Sequence, residues 1–283
     1  MSGKRFAVIG GDMRTVYLAR SLAEKGYEVR TYGLEREDPR REEASVEEAL
    51  RGADYVVLPF PCSRDGEWLN TPLSDRKLRI SDLAPLVPPD SVVFGGGIPA
   101  SFSMETLAQV HDCLELEQVL IPNAVATAEG AVLLAMQSRP CTVSGSRCLI
   151  VGYGRIGRAL APRLRALGAE VTVSARKASD IAWIGAGGMC GVNTCRIWES
   201  MDRYDIVFNT VPYPVIGRRE LERAGKTAVF IELASKPGGI DLSVAEQLGL
   251  KAVPAPGLPG KMCPKTAGQI IEKAILDIIS EKN

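Results

Sequence analysis

The sequence has no excess of charge of either sign: 34 lysine and arginine residues balance 34 aspartate and glutamate residues. A chain without net charge has no long-range field to gather nucleic acid or to hold it on an anionic membrane, so neither partner is expected. There is a single histidine, His111. It lies in a stretch that reads as helical, 104–114, among acidic and apolar neighbours with no metal partner in reach. One histidine rules out H-x-x-x-H metal sites, and no carboxylate cluster or G-x-S-x-G turn suggests metal-assisted or acyl-transfer chemistry. The seven cysteines are scattered, odd in number and without a C-x-x-C pair; the closest two, Cys190 and Cys195, suit neither zinc nor a redox motif. They read as reduced thiols of a cytoplasmic protein, mostly small core residues. No run approaches the roughly 18 apolar residues that a membrane helix needs. The opening MSGKRFAVIGGD is too short an apolar run for a secretory signal and leads into a strand.

The chain has 283 residues, 46% of them apolar, which suffices for two domains each with a core. Short β-rich runs alternate with helical patterns. Strands are predicted at Phe6–Gly10, Glu28–Tyr32, Tyr55–Pro59, Val92–Gly95 and Val119–Ile121, and again at Cys148–Gly152, Glu170–Ser174, Ile206–Thr210, Ala228–Leu233 and Lys251–Val253. Helices are predicted between most of them, as at Thr15–Lys25, Ser101–Cys113, Arg155–Leu167 and Arg218–Ala224. That alternation predicts an α/β chain of two Rossmann-like domains with parallel sheets. Their expected extents are 1–122 and 140–262. Long helices at Asn123–Arg139 and Lys265–Lys282 would join them, the last (263–283) packing back on the first domain, with a ligand cleft between the domains. The two halves echo each other: IGGDMRTVYLARSLAEKGYEV aligns without gaps on VGYGRIGRALAPRLRALGAEV, pairing Gly10 with Gly152 and Gly26 with Gly168. Duplication and shared fold demands both explain this.

The second copy carries a dinucleotide signature. Gly152-Tyr153-Gly154-Arg155-Ile156-Gly157 follows an apolar strand and opens a helix, the context in which G-x-G-x-x-G is specific. Gly152 permits the tight turn, Gly154 the approach of a pyrophosphate and Gly157 close helix–strand packing, while helix N–H groups at Arg155 and Ile156 hold the phosphates. The first copy has Asp12 and Thr15 in place of Gly154 and Gly157. A carboxylate there would repel a pyrophosphate, so the first domain is expected to hold substrate instead. After the second strand of the dinucleotide domain the sequence reads Ser174-Ala175-Arg176-Lys177, with no acid before Asp180. NAD sites place an acid there for the ribose hydroxyl; a hydroxyl with two cations suits the 2′-phosphate of NADP. Thr210, Val211 and Pro212 at the next strand end should line the ribose–nicotinamide side, and Ala234 the end after that.

Hydride transfer is the cofactor's chemistry, and the protein positions it. The groups expected around the cleft are hydroxylic and cationic. Ser235, Lys236 and Asn123 are the candidates at the reacting centre. Thr127, Glu129, Ser63, the Gly96 amide, Lys261 and Lys265 are candidate substrate contacts, the lysines suiting a small carboxylate substrate. Glu129 reads equally as a general base or as an acid at a helix N-terminus.

The stretches VIGGDMR (8–14), NAVATAEGAVLLAM (123–136), VGYGRIGR (151–158), ELASKPGGID (232–241) and APGLPGKMCPKTAG (255–268) together resemble the dipicolinate synthase A-subunit family of spore-forming bacteria. The resemblance spans essentially the whole chain. It implies NADP-dependent oxidation of dihydrodipicolinate, from the lysine pathway, to dipicolinate during spore formation. It also implies a partner, the flavoprotein-like B-subunit of dipicolinate synthase. It identifies no catalytic base. A homo-oligomer is expected. One alternative is an NADP-linked 2-hydroxyacid dehydrogenase, although that family's late histidine has no counterpart and Gly257 stands near its place. Another is an NADP-binding regulatory protein without activity.

Overall fold

In the computed structural model, residues 3–281 are described; Met1, Ser2, Lys282 and Asn283, the last two at the end of the expected C-terminal helix, lie outside the described residues. The chain forms two compact units, Met1–Asn123 with Cys263–Asn283, and Ala124–Met262.

Unit 1 is a five-stranded parallel sheet built from β1 (Arg5–Ile9), β2 (Glu28–Tyr32), β3 (Tyr55–Val57), β4 (Val92–Gly95) and β5 (Gln109–Asp112), in the order β2-β1-β3-β4-β5. Its helices are α1 (Met13–Glu24), α2 (Val46–Leu50), α3 (Ile80–Leu83), α4 (Ala100–Glu105) and, from the far end of the chain, α11 (Pro264–Glu281). Side chains of a strand alternate between faces. Thus Phe6 and Val8 of β1 join one core with Leu18 and Leu22 of α1 and Ile271 and Ile275 of α11. Ala7 and Ile9 join the opposite core with Ala49, Leu58 and Leu83. The α1–α11 seam is close: a Cβ on Gly268 would lie 2.5 Å from the Arg14 carbonyl oxygen. A buried charge in it, Glu272, accepts from Ser21 Oγ at 2.8 Å and Lys25 Nζ at 2.7 Å.

Unit 2 holds a six-stranded parallel sheet, β6 (Arg147–Val151), β7 (Glu170–Ala175), β8 (Cys190–Asn193), β9 (Ile206–Asn209), β10 (Val229–Glu232) and β11 (Lys251–Pro254), in the order β11-β10-β9-β6-β7-β8. Helices α6 (Arg155–Ala166), α7 (Ala178–Ala186), α8 (Arg218–Glu222), α9 (Leu242–Gln247) and α10 (Leu258–Met262) accompany it. Cys148 and Ile150 of β6 meet α6 through Leu160 and Leu164, while Leu149 and Val151 face Met201, Phe230 and Ala245. Helix α5 (Glu117–Ser138) crosses the division between units, and its Ala128, Ala131 and Ala135 belong to the unit 2 core. The echo between the halves has a backbone counterpart: Gly10 and Gly152 turn out of their strands with φ of 68° and 102°, and Gly26 and Gly168 close α1 and α6 with φ of 87° and 83°.

Several local expectations need correction. Val119–Ile121 is not a strand but part of the first turns of α5, because a short apolar run does not distinguish the two structures. The fifth strand is Gln109–Asp112, a polar edge strand inside the stretch read as helix; His111 sits on it, stacked on Phe94 at 5.6 Å. The edge strand β8, CGVN, is only four residues long with none of them fully buried, and it too is absent from the sequence pattern. With 22 residues, α5 is also long and apolar enough by length and composition to cross a membrane, contrary to the sequence reading, although its alanines sit in the unit 2 core.

All seven cysteines are free thiols. Burial pushes the Cys62, Cys113 and Cys148 thiols up to about 12, whereas Cys141, Cys190 and Cys195 are exposed. Titration of the native protein with a chromogenic disulfide is expected to modify those three exposed thiols in a fast phase and to spare the three buried ones until denaturant is added; mass mapping of the modified sites checks this.

Candidate functional site

In an open parallel sheet, ligands bind past the carboxyl ends of the strands where the strand order reverses. In unit 2 that point lies between β6 and β9, whose neighbours run outward in opposite directions. Gly152–Gly157 follow β6 and Thr210–Pro212 follow β9, so these two groups of expected cofactor residues are brought together there.

Each glycine of the turn has its own physical reason. Gly152 has φ of 102°, and a Cβ there would lie 2.5 Å from Thr210 Oγ1 and 2.8 Å from Val211 Cγ2. A Cβ on Gly157 would stand 2.2 Å from the Gly152 carbonyl oxygen. Gly154 differs: nothing lies within 4 Å of a Cβ built on it. It is the N-cap of α6, extended, and no side chain caps that helix. An uncapped twelve-residue helix whose first position is open is a cradle for an anion. The pyrophosphate of a dinucleotide therefore fits this turn. Arg155 is exposed and Ile156 half-buried at the helix start.

The β9 end is fixed by its own bonds. The amide and hydroxyl of Thr210 both donate to the Val151 carbonyl, each at 2.9 Å. The hydroxyl is therefore engaged within the fold, while Val211 and Pro212 form the rim. Beneath them Asn209, fully buried, donates to the Val211 carbonyl at 2.9 Å and to Glu232 Oε1 at 2.7 Å. Sequence reasoning missed Glu232. This buried carboxylate at the end of β10 also accepts from the Ala234 amide at 3.0 Å and from the Gly239 and Ile240 amides, each at 2.8 Å. It ties the loop carrying Ser235 and Lys236, both exposed, to the end of β9. The signal was present as an acid inside an apolar strand followed by a glycine pair: buried acids need several donors.

The expected 2′-phosphate group is only partly in place. Ser174 is fully buried, and its hydroxyl accepts from Thr194 Oγ1 at 3.2 Å. This corrects the expectation that Ser174 binds phosphate: the hydroxyl points into the sheet's packing, not to solvent. Arg176 and Lys177 are exposed beyond β7 and form no ion pair among the described residues. Asp180 instead pairs with Arg158 at 3.3 Å.

The expected substrate residues scatter. Glu129 lies well inside α5, not at a helix N-terminus, and pairs with Arg163 of α6 at 3.4 Å. Thr127 is on the same helix, half-buried, and Lys261 is exposed in α10. Asn123, Ser63, Gly96 and Lys265 fall in unit 1. The Ser63 hydroxyl donates to the Trp68 carbonyl at 2.7 Å and accepts from the Gly66 amide at 2.9 Å, closing its own loop. The Gly96 amide donates to the Pro59 carbonyl at 3.2 Å, and a Cβ there would meet Phe60 at 2.5 Å. Gly96 is thus a packing glycine rather than an open amide donor. Lys265 is exposed in the first turn of α11.

Residues 5–117 match the family model described as the N-terminal domain of the dipicolinate synthase A-subunit. The dipicolinate synthase A-subunit of Bacillus subtilis (strain 168) is 31% identical over 290 residues, 99% of this chain and 97% of that one. This chain belongs to the dipicolinate synthase A-subunit family. A crystal structure of a family member, from Bacillus halodurans, superposes with a TM-score of 0.88 at 28% identity and 98% coverage of both chains. Residues 123–237 match the model of the NAD-binding domain of D-isomer specific 2-hydroxyacid dehydrogenases. One such dehydrogenase, from Lactobacillus delbrueckii ssp. bulgaricus in an NAD-complexed form, shares the fold: TM-score 0.55, 12% identity, 99% of this chain and 97% of that one. This family member is therefore an α/β oxidoreductase with a dehydrogenase NAD-binding domain, as its sequence leads one to expect.

Two substitutions separate packing from cofactor contact. Gly154→Ala, with open space around the new methyl, is expected to cost stability no more than about 1 kcal/mol, the usual difference between these residues at an N-cap, yet to weaken dinucleotide binding at least tenfold. Gly157→Ala is expected to lose both stability and binding. Thermal unfolding and fluorescence titration with NADPH distinguish them. Glu232→Gln leaves at least one buried donor unmet and is expected to destabilise unit 2 by about 1–3 kcal/mol, with faster hydrogen exchange at the Gly239 and Ile240 amides.

Proposed function

We propose that this chain oxidises dihydrodipicolinate to dipicolinate with NADP as hydride acceptor. The observation that carries the cofactor half is the open, uncapped turn at Gly154 between two glycines that the packing requires. The substrate half draws on membership of a family whose relatives bear the name dipicolinate synthase. Sporulation, descent of the substrate from the lysine pathway and partnership with the flavoprotein-like B-subunit follow from that same reading. Seven thiols without a disulfide suit a reducing, cytoplasmic setting. Exposed Leu133 and Met136 on α5 give a homo-oligomer an apolar face to cover, and light scattering would reveal the assembly.

A bound nicotinamide takes the hydride; the residues around it bind, orient and shield. Backbone amides at the start of α6 hold the pyrophosphate. Arg176 and Lys177, exposed and without ion pairs, bind the 2′-phosphate, with no role for Ser174. Val211, Pro212 and Ala234 face the ribose and nicotinamide. Lys236 takes a substrate carboxylate and Ser235 orients the ring, with Thr127 and Lys261 as further contacts from the same unit. Aromatisation of the ring releases one hydride and one proton and supplies its own driving force. A strong base such as histidine is then not required, in keeping with the place of His111 on Phe94. The 2-hydroxyacid dehydrogenase alternative is weakened by Gly257, which has no side chain where that family's histidine would stand.

Purified chain incubated with freshly made dihydrodipicolinate is expected to produce pyridine absorbance faster with NADP than with NAD; absence of turnover, or turnover of 2-keto acids with NADPH instead, would refute the reading. Arg176→Ala is expected to reverse the cofactor preference by raising KM for NADP alone. Lys236→Ala is expected to raise substrate KM at least tenfold, and unchanged kinetics would remove Lys236 from the site.

A further inference from the structure

Unit 1 has its own reversal of strand order, between β1 and β3. The loops that meet there are Gly10–Arg14, after β1, and the segment from Leu58 through Cys62, after β3. In the echo between the two halves, Asp12 stands in the place of Gly154, Arg14 in that of Ile156 and Thr15 in that of Gly157. Where unit 2 has an open cradle, unit 1 therefore has a charged pair.

That pair is held in a fixed geometry. Asp12 caps α1 by accepting from the Arg14 amide at 3.0 Å. Its carboxylate also accepts from Arg14 Nε at 2.9 Å and Nη2 at 2.8 Å. Arg14 Nη2 donates further to the Phe60 carbonyl, so the guanidinium ties the β1 loop to the β3 loop across the reversal point. The carboxylate expected to act as a free repulsive charge is thus neutralised by its neighbour. The Arg14 side chain is only 12% exposed, yet its Nη1 makes no hydrogen bond among the described residues. A helix cap needs only the amide bond. A guanidinium held by two loops through Nε and Nη2, with Nη1 free, is preorganised to donate to one oxygen of an anion.

We infer that unit 1 carries a recognition site for a small carboxylate, centred on Arg14 Nη1 and oriented by Asp12. The inference rests on the reading of the substrate as a small dicarboxylate. A dinucleotide phosphate is disfavoured here: Asp12 replaces the open glycine, and Thr15 fills the space above Gly11, whose Cβ would lie 2.2 Å from Thr15 Oγ1. One oxygen of a carboxylate needs only the free Nη1 as its donor.

The test is calorimetric titration of the full chain with pyridine-2,6-dicarboxylate, with NADP titrated in parallel to report on unit 2. R14M is expected to weaken dicarboxylate binding at least tenfold while leaving NADP affinity within twofold of wild type. R14K keeps the cation but loses the planar fork, and it is expected to bind three- to tenfold more weakly; it serves alone should R14M fail to fold. Wild-type dicarboxylate affinity in R14K or R14M would overturn the inference and leave the proposed oxidation standing. Inorganic phosphate displacing the dicarboxylate more effectively than acetate does would overturn the carboxylate assignment. A wild-type chain that neither binds the dicarboxylate nor oxidises the dihydro compound would remove both readings together.

Discussion

Glu232 ends β10 in the interior, surrounded by donors: the Asn209 side chain and the amides of Ala234, Gly239 and Ile240. A buried carboxylate is costly unless its oxygens are met by hydrogen bonds. Here the cost is offset only when the chain beyond β10 folds back far enough to bring Gly239 and Ile240 to it. The shape of that loop is therefore set by the requirements of one side chain. Gly239 can approach because it lacks a Cβ, which would otherwise sit 2.5 Å from Asn209 Nδ2. The same carboxylate holds Asn209, and Asn209 holds Val211, so the loops after β9 and β10 are bonded to one another. Ser235 and Lys236, themselves exposed, inherit their positions from this buried network rather than from contacts of their own.

The central strands were legible because their chemistry is extreme. FAVI, CLIV and VFI within them are continuous apolar runs buried on both faces, as parallel sheets require. The edge strands QVHD and CGVN were not, since each is four residues long, none of them fully buried, and neither shows an apolar run. The tight turn at Gly152 and the close packing at Gly157 were legible, because both follow from backbone sterics that any strand–turn–helix shares. Side-chain roles at the site were less so. Ser174 looked like a ligand from its neighbours in sequence, but strand register with Val151 and Val192 places it in the interior. Gly96 looked like an amide donor and is a packing residue beside Phe60. Glu232 went unnoticed because its partners lie seven and eight residues onward and on another strand, a pattern that no local window contains.

The two units solve the same problem of the strand-end turn with different residues. Both leave their first strand through a glycine of positive φ, and both close the next helix the same way. One then leaves a helix end bare; the other fills it with an aspartate, an arginine and a threonine that bond to one another. The fold provides the location in each case, and two or three side chains decide what can occupy it.

The α1–α11 seam has a consequence for how the chain comes to be made. Unit 2 is one continuous stretch, whereas unit 1 lacks a wall of its core until Gly268, Ile271, Glu272 and Ile275 arrive. During synthesis the first 123 residues must wait, with Leu18 and Leu22 uncovered, while the whole of unit 2 is translated and can close. Order of synthesis and order of completion are thus reversed, since the first-made unit is closed by the last-made helix.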